Sequence, residues 1–368
     1  QGVTHLLKKN KVKSFIGDAT ILDKGKVKVE KNDNSEELSC SNIIIASGAR
    51  ARELPGLEAD GETVWTYKHA LTPSRMPKKL LVVGSGAIGI EFASFYNTLG
   101  ADTTVIEVVD RILPAEDAEI AAFALKQFSK QGMKILTNAS VKKVERKKNS
   151  AHVEIVSEGK TKTEQFDTII SAVGIVGNIE GLGLENLSIK TDKSHIKTDN
   201  NCNVGIDGIF AIGDVAGAPW LAHKASHEGV MVAEIIAGKH AHPVDPSSIA
   251  GCTYCHPQIA SVGLTEEEAN KKGLKVKIGR FPFIGNGKAI TLGEQEGLIK
   301  TIFEAKTGEL LGAHMVGAEV TELIQGYVLG QKLETTEEDL ISTVFPHPTL
   351  SEMMHESVLD AFGRAIHI

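Results

Sequence analysis

A chain of 368 residues is too long for one ordinary core and predicts two or three domains. Hydrophobic residues make up 42% and charged residues 24%, a balance that excludes a disordered or fibrous chain. With 40 basic and 47 acidic residues the net charge is −7, which gives no electrostatic reason to expect nucleic acid or an anionic membrane surface.

In chain order, the start QGVTHLLKKNKVKSF has no sustained apolar core and is no signal peptide; it also lacks Met, so a native N-terminus outside the sequence is an expectation. Residues 11–46 alternate short apolar runs with Gly, Asp and Asn, which reads as a β-meander feeding the fully buried strand NIIIASGA. The Pro-rich stretch TPSRMPKK sets a boundary near Pro77. Then come a strand (LLVVG), a Gly-rich turn, a helix (IEFASFYNTLG), a strand (TTVIEVV) and a second helix ending at Gly132. An antiparallel ribbon follows, whose basic run KKVERKK is a solvated strand face, and DTIISAVG closes the βαβ unit.

GIFAIGDVAG gives another buried strand, with a helix from roughly Leu221 to Ala237. Beyond Pro243 the texture becomes α+β: TYCHPQIASVG, LKVKIGRF, GLIKTIFE and ELLGAHMVG as strands, then two helices flanking FPHPTLSE. The fold class is therefore α/β, with Rossmann-like dinucleotide-binding domains and a C-terminal α+β domain. No apolar run approaches the roughly 20 residues that span a bilayer. Four cysteines make no disulfide scaffold, so a reducing compartment is expected, the cytoplasm or an organelle matrix.

The strongest local signal is LLVVGSGAIGIEF. Gly84, Gly86 and Gly89 form G-x-G-x-x-G between a strand and a helix: the first allows the tight turn, the second close approach to a pyrophosphate, the third helix–strand packing. The helix N-terminus offers N–H groups to that pyrophosphate. Glu107 ends the next strand about 20 residues on, where a carboxylate accepts from a ribose 2′-OH and repels a 2′-phosphate, which favours NAD over NADP. Asp214 sits at a strand's carboxyl end, where it either binds a sugar-alcohol hydroxyl or caps a turn. His347 and Glu352 in HPTLSE are five apart across a loop entering a helix, close enough to pair or to be an ordinary surface His and a helix-start Glu.

Three further patterns carry less. Cys252, Cys255 and His256 spell C-x-x-C-H, but on one extended strand positions i and i+3 point to opposite faces, so a disulfide, a shared metal or a covalent haem is not expected. His223 and His227 have metal-ligand spacing without a third ligand nearby, so no metal is expected. Cys40 and Cys202 read as small inert side chains.

Taken in order, IIIASGA, VVGSGAIGIE, SAVG, GIFAIGDVAG, LAHKA, HPQIASVG, FPFIGNGKA and FPHPTLSE through AFGRAIHI resemble the pyridine nucleotide-disulfide oxidoreductases across the whole chain, and most of all the branch that acts on dihydrolipoamide. The resemblance implies residues 1–77 as the remainder of an FAD-binding domain, 78–200 as an NAD-binding domain, 201–245 as a second part of the FAD domain and 246–368 as an interface domain. It implies FAD at Gly17, Ala19, Ser47, Gly48, Asp214, Trp220, Leu221, Ala222 and His223. It implies NAD at Gly84, Ser85, Gly86, Ala87, Ile88, Gly89, Ile90, Glu91, Glu107, Val141 and Gly174. His347 and Glu352 become the catalytic acid–base pair, acting on the partner subunit's disulfide in a homodimer, with lipoyl domains and the acyltransferase core of 2-oxo acid dehydrogenase complexes as partners.

Two departures stand out. GIVGN takes the place where the family usually carries an Arg or a Pro before Asn178. The family's opening flavin-type G-x-G-x-x-G and its C-x-x-x-x-C redox pair are absent, which implies a missing segment on the order of 100 residues and a chain that is catalytically incompetent alone. The alternatives are a non-catalytic NAD-binding and dimerisation fragment, or another reductase of the same family. Of these, a mercuric reductase is disfavoured by the lack of a C-terminal Cys pair and an NADP enzyme by Glu107.

Overall fold

The computed structural model describes residues 1–368, which divide into two compact units, 1–50 with 175–244 and 51–174 with 245–368. The units part at residues 50/51 and 174/175, whereas the sequence places boundaries near 77 and 200. Two local pairings account for the shift. Val64–Trp65 is an edge strand of the second unit's parallel sheet, and the Thr191–Asp192 and His195–Ile196 hairpin lies in the first unit.

In the first unit, Asp18–Asp23, Lys26–Lys31 and Asn34–Ser39 form the antiparallel meander, with Ile21 opposite Val27 and Val27 opposite Leu38. Ile43–Ile45 pairs in parallel with Ile209–Ala211. Ile43, Ile45 and all of Ile209–Ala211 are buried, while Ile44 faces the other way and is 41% exposed. Ile43, Ile45, Ile209 and Ala211 pack with Ile21, Leu184 and Ile196. The helix Ala222–Ile236 lays Met231 and Val232 on Phe210 and Cys202.

The second unit holds a five-stranded parallel sheet in the order Val64–Trp65, Thr168–Ser171, Lys79–Val83, Asp102–Ile106, Lys134–Leu136. Helices Ala87–Thr98 and Ala118–Lys130 supply its crossovers, burying Ile90, Ala93, Tyr96, Ile120, Ala124 and Phe128. The ribbon Ala139–Lys147, Ser150–Ser157, Lys160–Phe166 follows, its basic first strand largely exposed. A second, antiparallel sheet runs Gly251–Thr253, Gln258–Gly263, Leu310–Gly317, Leu298–Glu304, Val276–Pro282. Helices Val320–Lys332 and Glu352–Ala361 cover it, and the Tyr327 hydroxyl donates to the Met354 carbonyl at 3.0 Å. No helix is long and apolar enough to cross a membrane.

One strand differs from expectation. Residues 251–263 form two strands, Gly251–Thr253 and Gln258–Gly263, not one. Pro257 has no N–H for a ladder. The donors before it go elsewhere: Tyr254 N–H to the Glu91 carboxylate at 2.8 Å, His256 N–H to the Ser94 hydroxyl at 3.0 Å. Cys252 thus lies on a strand and Cys255 in the connecting loop, and both thiols are free. Burial pushes both thiols up, with nearby carboxylates adding to the effect. Cys202 is buried and pushed up to about 12, while Cys40 is exposed, not packed as a small hydrophobe.

Candidate functional site

The Gly-rich turn is dictated by its backbone. Gly84 has φ +98°, and a Cβ on it would stand 2.3 Å from the Ala172 carbonyl oxygen. A Cβ on Gly89 would meet the Gly84 oxygen at 2.0 Å, so only glycine lets the helix start this close to the strand. Gly86 is different: nothing lies within 4 Å of its Cβ direction. It caps the helix Ala87–Thr98, with Ala87 and Ile88 exposed in the first turn and Ile90 buried. Open space at this residue, beside free helix N–H groups, fits a pyrophosphate.

Glu107 is 7% exposed and is held on both oxygens. Oε2 accepts from the Ser85 N–H at 2.9 Å and the Ser85 hydroxyl at 2.6 Å, and Oε1 accepts from the Val109 N–H at 3.1 Å. Burial works to raise this carboxyl, but these hydrogen bonds outweigh it and hold the group below its ordinary value. The Val108 N–H adds to the hold on this carboxylate. Glu91, one helical turn in, points its carboxylate to the loop at Tyr254, and burial raises it. Gly174, with φ +104° and open space at its Cβ position, ends the neighbouring strand region, while half-buried Val141 packs into the core on the sheet's other side.

In the first unit the parallel pairing of Ile43–Ile45 with Ile209–Ala211 sets two loops at the same carboxyl end of the strands, Ser47–Gly48 and Gly213–Asp214. The Ser47 hydroxyl donates to the Asn178 carbonyl at 2.7 Å, and Gly48 has φ +71°. Asp214 is half-buried in the turn Gly213–Ala216, and its carboxylate has no hydrogen-bonding or ionic partner. An unpartnered acid at this position fits a hydroxylated ligand chain. The Trp220 ring stacks on His195 with centroids 5.6 Å apart and its Nε1–H donates to His195 Nε2. Leu221 caps the helix whose exposed first turn carries Ala222 and His223. Gly17 and Ala19 are exposed at the first strand of the meander, where a Cβ on Gly17 would meet the Glu30 oxygen at 2.4 Å.

The acid–base candidates meet. His347 Nδ1 lies 2.9 Å from Glu352 Oε1, and the Thr349 N–H donates to Glu352 Oε2 at 2.9 Å. The helix Glu352–Ala361 begins at this carboxylate and the loop 343–351 carries the imidazole. The His347 side chain is 80% exposed, so Nε2 is open to a reacting group. Burial works to raise Glu352, but the Thr349 N–H and the His347 ring outweigh it and hold the carboxyl below its ordinary value.

Sequence reasoning missed two buried charge groups. Lys224 and Glu228 pair at 3.0 Å; Glu228 accepts from the Gly213 N–H at 2.7 Å and Lys224 donates to the Gly217 carbonyl at 3.1 Å, which clamps the turn that holds Asp214. Their i, i+4 spacing in LAHKASHEG was the available signal. In the second unit Lys300, 3% exposed at its side chain, binds Asp117 at 2.9 Å, Glu119 at 3.2 Å and Glu266 at 2.7 Å. No short-range pattern marks that cluster.

Comparison with known proteins follows the same lines. A family model described as pyridine nucleotide-disulphide oxidoreductase matches residues 1–229, and its dimerisation-domain companion matches residues 249–358. A dihydrolipoyl dehydrogenase of Rhizobium etli is 54% identical over 384 residues, spanning 100% of this chain and 80% of its own length. One from Zymomonas mobilis is 53% identical over 369 residues, with 100% and 79% covered. The crystal structure of LpdA from Mycobacterium tuberculosis superposes with a TM-score of 0.90 at 26% identity, covering 97% of this chain and 79% of that one. A HOCl-induced flavoprotein disulfide reductase of Escherichia coli shares the fold, with a TM-score of 0.85 at 24% identity and coverages of 97% and 83%.

Proposed function

The chain belongs to the pyridine nucleotide-disulphide oxidoreductase family, as an enzyme of its dihydrolipoyl dehydrogenase branch, and we propose that it oxidises protein-bound dihydrolipoamide to lipoamide with NAD+ as the final acceptor. The observation that carries this reading is the His347–Glu352 pair with its open Nε2. The carboxylate fixes the proton on Nδ1 and stabilises the imidazolium, so Nε2 takes a proton from a thiol and makes it a thiolate. Bound FAD supplies the two-electron relay between dithiol and NAD+.

In this reading residues 1–50 and 175–244 hold the flavin. Asp214 binds its ribityl hydroxyls, with Ser47, Gly48 and the backbone of 220–223 alongside and Gly17 and Ala19 near the adenine. The turn Gly84–Glu91 takes the NAD pyrophosphate, with Val141 and Gly174 along the nucleotide, and Glu107 takes the ribose. The fixed carboxylate would repel a 2′-phosphate, which selects NAD. Residues 245–368 make a homodimer and present His347 to the partner's disulfide. Lipoyl domains and an acyltransferase core are the proposed macromolecular partners.

The 368 residues contain no two cysteines five positions apart, and their one G-x-G-x-x-G is the turn at Gly84. In this reading the dithiol that meets His347 is none of the four cysteines at 40, 202, 252 and 255. His347→Gln in the protein as expressed from its gene, assayed for lipoamide-linked NADH formation, should lower turnover by about 10²–10⁴-fold while sparing NADH–dye activity. Equal survival of both activities sinks the acid–base assignment.

A further inference from the structure

A second imidazole–carboxylate pair lies beside the first. His367 Nδ1 is 2.8 Å from Glu356 Oε1, and the Ile366 N–H donates to Glu356 Oε2 at 3.3 Å. Glu352 and Glu356 are i, i+4 on the helix Glu352–Ala361, so two carboxylates share one helical face and repel each other. Each has recruited an imidazole from a different segment, His347 from the loop before the helix and His367 from the tail after it. Both pairs line one cavity of 570 Å³.

The titratable groups facing that cavity are His347, Glu352, His355, Glu356 and His367, with no Lys, Arg or Asp among its walls. His355 Nε2 donates to the Ile341 carbonyl at 3.1 Å and its ring packs on Phe345, so it is tied to the opposite wall. Glu356 is 7% exposed while the His367 side chain is 63% exposed. A buried carboxylate thus carries an exposed imidazole on the rim, one helical turn from Glu352.

We propose that His367, held by Glu356, is a positioning residue for the His347–Glu352 pair, the four side chains forming one electrostatically coupled set around the cavity. His367 acts by charge. Protonated, it offsets Glu356, steadies the ionised Glu352 and opposes a second cation at His347; neutral, it leaves two carboxylates facing the His347 ring. The coupling at Glu352 agrees with this: after burial, the Thr349 N–H and the His347 ring, the charge of His367 also pulls that carboxyl down. The proposal rests on the reading of His347 as the proton acceptor, but its test does not use activity.

The test is an NMR titration of the full protein labelled with 13C-histidine, the His347 signal being assigned by its loss in His347→Gln. His367→Asn keeps a donor to Glu356 and removes the cation, so the His347 midpoint should move up by about 0.2–0.5 of a pH unit. Glu356→Gln removes the anion, and the midpoint should move down by a similar amount. His367→Lys restores the cation and should return it towards the wild-type value. Opposite shifts from the first two variants are the signature of charge, because a structural lesion moves both the same way. Shifts of the same sign, or below about 0.1 unit in both, overturn the proposal. If instead the midpoints shift as stated while His347→Gln spares dithiol oxidation, the coupling stands and the acid–base reading fails.

Discussion

The turn at Gly84 and the loop at His347 are suited to their proposed roles by opposite routes. At Gly84–Gly89 the backbone decides: two Cβ positions are closed by carbonyl oxygens at 2.3 and 2.0 Å, and the one side chain that matters, Glu107, is 7% exposed with both oxygens bonded to neighbouring N–H groups or a hydroxyl. At His347 side chains decide: an exposed imidazole is held by one carboxylate, itself fixed by one N–H. A site that binds a fixed nucleotide gains from rigidity built into the chain path. A site that passes protons gains from groups whose charge can change without moving the backbone.

The largest expected effect tests the backbone side of that contrast. Gly89→Ala drives a Cβ into the Gly84 carbonyl, which should cost on the order of 3 kcal/mol or more. Urea unfolding should show the lost stability, and NADH fluorescence titration a loss of affinity. Wild-type values for both break the contrast.

An effect of the same order is expected at the buried charge cluster. Lys300→Met strands Asp117, Glu119 and Glu266 without their shared cation, for a loss of about 3–5 kcal/mol. The cluster also sets a pH window. Burial works to raise Asp117 and Glu119, but the Lys300 bonds to the first and the Arg280 and Lys300 bonds to the second outweigh it and hold both low. Their stabilisation is present above the ordinary carboxylate range and is lost as pH falls through the depressed values. Burial works to lower Lys300, yet Glu266 and Asp117 hold it high, so its share is present below the ordinary lysine range and lost as pH rises through the raised value. Denaturation midpoints in Lys300→Met should therefore be flatter across the acid limb than in the wild type; an unchanged acid limb contradicts the assignment.

The smallest effect sharpens the comparison. Ser85→Ala removes one of two bonds from the same residue to Glu107 Oε2 and leaves the backbone N–H. Isothermal titration should show NADH affinity lowered by about 10- to 150-fold at most, since a hydrogen bond to a charged group contributes about 1.5–3 kcal/mol. A loss of several hundredfold would mean that the side chain, not the backbone, organises this turn.

What could be read from the sequence follows the same division. G-x-G-x-x-G and Glu107 were legible because a backbone that admits only glycine leaves its mark in the residue letters. The apolar runs IIIA and IFA announced strands of the core, although Ile44 of the first is exposed. His347 and Glu352 were legible only as a spacing, since His and Glu at a loop–helix junction are commonplace. Lys300 and Asp117 are 183 positions apart and meet only through tertiary packing. The break between Thr253 and Gln258 was hidden because its cause lies partly on another element, in Glu91 and Ser94, which take the N–H groups a continuous strand would have shared. The unit boundaries shifted for a like reason, since two-residue strands such as Val64–Trp65 carry too little pattern to be seen.

The Lys300 cluster has a consequence for motion. Asp117 and Glu119 sit at the start of the helix Ala118–Lys130, Lys300 in the middle of the antiparallel sheet and Glu266 on the short helix Glu266–Lys271, so one ammonium ties three elements that belong to two different sheets' surroundings. Sliding one sheet past the other would part Lys300 from Asp117, whose side chains are 3% and 1% exposed. That contact resists hinge or shear displacement of the parallel sheet against the antiparallel sheet.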